Sequence, residues 1–209
     1  MGEIARINTA TVRNGHVVNV VVEVQVQNGI GIHMVGISDA KTREVLLRIV
    51  TALQALGFNL PGKKIVINIA PGNGGIDTDA LDLPVAIGIL QASGQIKVEK
   101  EVLEQCLFYG ELALDGTIMR GGNFTGAAIA TATAFLHAED KCLVTDTKTA
   151  IEGLVVPNIF CYGFSDLPTL LRVIQRAIVG TSYLAWMSGE WKQREESIKY
   201  QKELAFKPL

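Results

Sequence analysis

Pro71-Gly72-Asn73-Gly74-Gly75 is followed within a few residues by Asp77, Asp79 and Asp82. Two kinds of chemistry use such residues. Glycines lack side chains, so the backbone N–H groups of a glycine-rich loop can converge on a phosphate. Carboxylates beside loop carbonyls supply the hard oxygen ligands that a divalent cation takes. Gly72, Asn73, Gly74, Gly75, Asp77 and Asp79 are therefore the candidate ligand-binding residues. The two readings oppose each other, because three acids beside the loop repel a phosphate. A plainer reading needs no ligand. The acids cap the next helix and favour its positive end.

Other constellations are weaker. Gly57-Phe58-Asn59-Leu60-Pro61-Gly62-Lys63-Lys64 matches a phosphate-binding P-loop until its last position, which needs Ser or Thr to hold magnesium and is Lys64. Its context is also reversed, with a helix before and a strand after, so it reads as a helix-to-strand turn. No other stretch has the pattern, and no ATPase is expected within these residues. His16, His33 and His137 stand apart, without HxxxH or CxxC spacing, and no metal site is expected. Cys106, Cys142 and Cys161 are odd in number and scattered, which points to buried thiols in a reduced, cytoplasmic protein rather than a disulfide framework.

The candidate loop lies between two recognisable elements. Ile65-Val66-Ile67-Asn68-Ile69-Ala70 reads as a strand rich in β-branched residues. An apolar run from Leu81 to Ala92, stopped by Gly94, reads as a buried helix capped by Thr78 or Asp79, with Pro84 in its first turn. Upstream, Ile4 to Val12 and Val17 to Val26 flank Asn14-Gly15, the strongest short hairpin signal. After Asn28-Gly29 a third strand is expected over Ile30 to Ile37, making an antiparallel meander. Ser38 or Asp39 then caps a helix whose face is Val45, Leu46, Ile49, Val50, Leu53 and Leu56, ended by Gly57.

Downstream the expected elements are a short helix over Glu99 to Gln105, a strand over Leu107 to Leu114 and a hairpin turn at Asp115-Gly116. A helix over Thr125 to His137 follows, with Ala128, Ile129, Ala132 and Phe135 on one face. Strands over Cys142 to Thr145 and Ile159 to Tyr162 flank a short helix over Thr147 to Glu152. A last helix is capped by Ser165. Residues 1–180 form the expected domain and 181–209 a charged helical tail. In that tail Glu190–Arg194 and Glu195–Lys199 are favourable i to i+4 pairs.

Composition sets outer limits. Of the 209 residues 48% are apolar and 19% charged, which is the make-up of a packed globular core. The net charge of −2 gives no basic footprint for nucleic acid. No apolar run approaches the ~20 residues of a membrane helix, and the first residues carry no cleavage signature.

Several words in this sequence resemble the N-terminal domain of ComM-type (YifB-like), magnesium-chelatase-like AAA+ proteins. They are Val35-Gly36-Ile37-Ser38-Asp39, Ile67-Asn68-Ile69-Ala70-Pro71, Asp82-Leu83-Pro84-Val85-Ala86-Ile87-Gly88-Ile89-Leu90 and Gly110-Glu111-Leu112-Ala113-Leu114-Asp115-Gly116, in order over roughly residues 4–175. The resemblance implies an α/β fold with helices packed on a mixed sheet, similar to the Lon protease domain and to the class shared with GHMP kinases. It implies an AAA+ motor after this domain in family members, and a link to DNA processing in transformation.

Lon-type proteolysis needs a serine at the start of the helix after the glycine-rich loop, and a lysine after the second hairpin. The matching positions are Ala80 and Phe124. A methyl group has no lone pair with which to attack a carbonyl, so no catalytic residue is expected. Three functions follow as expectations. The first is a non-catalytic assembly or interaction module that self-associates or docks on an AAA+ motor, touching DNA indirectly and no membrane, with no cofactor. The second is a small-molecule or nucleotide-binding enzyme using Gly72–Gly75. The third is direct DNA binding, should Arg6, Arg13, Lys63, Lys64 and Arg120 share a face.

Overall fold

Alternating apolar residues in the first two strands decide which side of the sheet is covered. In the computed structural model, which describes residues 3–13, 16–71, 78, 80–122, 124–137 and 141–176, strand β1 (Ala5–Arg13) pairs antiparallel with β2 (His16–Gln27). Val20, Val22 and Val24 are buried on one side of β2, as the period of two requires. The turn at Asn14-Gly15 lies outside the described residues.

The expected meander ends there. Strand β3 (Ile32–Val35) does not pair with β2. It pairs in parallel with β4 (Lys64–Ala70), and β4 takes the place beside β2. Gly29 (φ 120°) and Gly31 (φ 93°) turn the chain out of the hairpin path. Helix α1 (Asp39–Ala55) then forms the crossover that a parallel pair needs. Ser38 is its N-cap residue but makes no side-chain capping bond.

Helix α2 is Asp82–Ala92, α3 Lys100–Gln105, β5 Cys106–Phe108, α4 Gly126–Thr133, β8 Cys142–Asp146, α5 Thr147–Gly153, β9 Phe160–Phe164 and α6 Leu167–Ile174. The strand expected from Leu107 to Leu114 is two pieces. After β5 the chain leaves the sheet at Tyr109-Gly110, and β6 (Glu111–Leu112) pairs with β7 (Ile118–Met119) in a separate small ribbon. Phe135 lies beyond the end of α4 and is exposed, so it does not share the helix's buried face. Asp166, not Ser165, caps α6; its side chain accepts from the Thr169 N–H.

The main sheet has the order β3-β4-β2-β1-β5-β8-β9. The pairings make β2 its one reversed strand among the described residues. The architecture is therefore α/β with a mostly parallel mixed sheet. Helices cover both faces. Gly88 of α2 approaches Ile7 and Val24 on one side. On the other, Ala10, Leu107, Leu143 and Cys161 pack with Ile129, Ala130 and Ala132 of α4 and Ala150 of α5. Residues 1–176 form one compact unit and 177–209 a second. The second lies outside the described residues, and the expected helical tail with it.

Candidate functional site

Parallel strands end on the same edge of a sheet, and in open α/β sheets ligands are bound outside the carboxyl ends of the strands. Strand β4 ends on that edge, followed by a cis Ala70–Pro71 bond. Gly72, Asn73, Gly74, Gly75, Asp77 and Asp79 themselves lie outside the described residues. The described residues next to them in sequence are Pro71, Thr78 and Ala80, followed by the start of α2.

Asp82 carries the main surprise of this segment. The sequence suggested that it caps α2, yet α2 has Leu81 as its N-cap residue and no side-chain cap. The carboxylate turns away from its own helix and is fully buried. Arg48 of α1 grips it with two hydrogen bonds, Nε to Oδ2 at 2.7 Å and Nη2 to Oδ1 at 3.1 Å. The Leu112 N–H of β6 donates to the same Oδ2 at 3.2 Å. Glu44 also accepts from Arg48, at 2.9 Å, and Glu111 lies 3.5 Å from its Nε.

One acid thus pins α1, α2 and β6 together. Burial pushes the Asp82 carboxyl up, while Arg48 and the Leu112 N–H pull it down. The Arg48 guanidinium is held protonated, chiefly by its hydrogen bonds to Asp82. With its oxygens engaged by a guanidinium, Asp82 has little left to offer a metal ion.

Ala80 is buried, and its carbonyl accepts from the Gly110 N–H at 3.3 Å. The Leu83 N–H donates to the Gly110 carbonyl at 3.0 Å, which fastens the start of α2 to the end of β5. Ala80 belongs to the same apolar cluster as Tyr109, Leu107 and Ile129, and Phe124 packs against that cluster, half-buried. Ala80 and Phe124 thus both contribute hydrocarbon to one apolar cluster.

The nearest cation in sequence, Arg120, is spoken for. Its Nη1 and Nη2 bind Glu152 at 2.8 and 3.1 Å, and Nη2 also donates to the Phe124 carbonyl at 2.7 Å. Glu152 in turn accepts from the Gly126 N–H at 2.7 Å. Arg120 and that N–H hold the Glu152 carboxyl below the usual carboxylate range. A guanidinium stays protonated, so Arg120 cannot take a proton from a nucleophile as a lysine would. Tyr109 donates from its hydroxyl to the Gly121 carbonyl at 2.8 Å.

Among the described residues no group of His, Cys, Asp and Glu is arranged to hold a metal ion. All three histidines are exposed. Cys106 and Cys142 are register partners across β5 and β8, and all three cysteines are buried and outside any disulfide. The contact with Cys142 and burial push Cys106 up, and burial pushes Cys161 up to about 12. Protonated, enclosed thiols of this kind are poor nucleophiles. No helix among the described residues is long and apolar enough to cross a membrane.

Residues 22–146 match the model of the family described as subunit ChlI of Mg-chelatase. This chain belongs to that family. It is 32% identical to the competence protein ComM of Haemophilus influenzae over 173 residues, covering 78% of this chain and 33% of that protein. It is 34% identical over 137 residues to the uncharacterised protein YifB of Salmonella typhimurium, and equally to that of Escherichia coli. Those matches cover 65% of this chain and 26% of each relative. The chain thus spans between a quarter and a third of the length of these relatives.

Sequence reasoning named Ala80, Phe124 and Asp82 but missed Arg48, Tyr109 and Glu152. Arg48 left a signal. It is a lone cation between Leu47 and Ile49, and Asp82 stands directly before the apolar run Leu83 to Leu90. A buried acid calls for a buried or half-buried base.

Proposed function

We propose that this chain is a non-catalytic, Lon-like module that works by assembly, through self-association or by docking on an AAA+ motor. Its setting is cytoplasmic DNA processing of the kind named by competence in its ComM relative, with DNA reached through the motor rather than by this domain. The observation that carries the reading is the shared apolar cluster at Ala80 and Phe124. A nucleophile needs a lone pair, and a general base needs an open one within hydrogen-bond reach. Ala80 and Phe124 offer neither. Family membership supplies the association with larger proteins, since each relative carries far more chain than the part matched here.

The basic residues proposed for direct DNA contact do not favour that alternative. Arg6 is paired with Glu23 at 3.1 Å and Arg120 with Glu152. The reading is tested by affinity capture with the tagged chain, followed by mass spectrometry. Recovery of a protein with Walker motifs, or of untagged copies of this chain, is expected. Recovery of neither contradicts it.

A further inference from the structure

We draw no further inference here: the strongest candidate, the exposed apolar side chains Phe135, Ile151, Val155 and Phe160 at the α4, α5 and β9 end of the fold, carries none because nothing in the structure shows what covers them.

Discussion

Asp82 and Arg48 form an ion pair that is costly to break and contributes little beyond its surroundings when intact. Removing one partner leaves the other charge buried, which costs about 3–5 kcal/mol, whereas replacing both with apolar groups is far milder. Arg48→Met is therefore expected to lower stability by about 3–5 kcal/mol in urea unfolding, and Arg48→Met with Asp82→Leu by clearly less. Equal losses in the single and double variants would show that the pair is not the clamp described.

Glu152 makes the second residue-scale prediction. Its carboxyl is held low by Arg120 and the Gly126 N–H. A lowered folded-state value means that the stabilisation is present above the unfolded value, about 4.3 for glutamate, and lost as pH falls through the folded one. The stability gap between the native chain and Glu152→Gln should therefore narrow as pH falls from about 5 to about 3. A gap that stays constant over that range would assign the pair no electrostatic role.

Among the elements, α2 is the one whose sequence and structure agree most tellingly. Its run from Leu83 to Leu90 is buried all round, and Gly88 sits where a Cβ would come within 2.6 Å of Val24 Cγ2. Alanine is the better helix former by ~1 kcal/mol. Overpacking a tight core costs about 1–3 kcal/mol, so Gly88→Ala is expected to destabilise, by up to ~2 kcal/mol net of that gain. A higher melting temperature in that variant would mean that the sheet yields easily to the added methyl.

Element types were legible because the signals are local. Valine alternation gave β2, three-and-four spacing gave α1, and Gly94 closed α2. Partners were less legible. The meander failed because nothing local to Ile32–Val35 says that a strand some thirty residues later will take the place beside β2. The strand expected over Leu107–Leu114 failed because both pieces read as extended, and only the departure at Tyr109-Gly110 separates them. For the site, the burial of Ala80 was legible in its place beside an apolar run. The role of Asp82 was not, since capping an N-terminus and pairing across helices require the same residue type.

For the molecule as a whole, the described residues form a mostly parallel mixed sheet with helices on both faces. The candidate loop at Gly72–Gly75 with Asp77 and Asp79 is tested most simply by thermal shift with nucleotides and divalent cations. A ligand raises apparent stability by RT ln(1 + [L]/Kd), which is ~2.7 kcal/mol at a hundredfold excess over Kd. No shift is expected from ATP, GTP, magnesium or calcium. A saturable shift abolished by Asp77→Asn with Asp79→Asn would move the account toward an enzyme.

The claim that the module acts by association is a claim about mass in solution. Light scattering on the eluting 209-residue chain, over a hundredfold range of concentration and with or without an AAA+ motor protein of the family, measures it directly. The account predicts a stable multiple of the chain mass, or a complex with the motor. The mass of a single chain at every concentration, with the motor eluting separately, would contradict it.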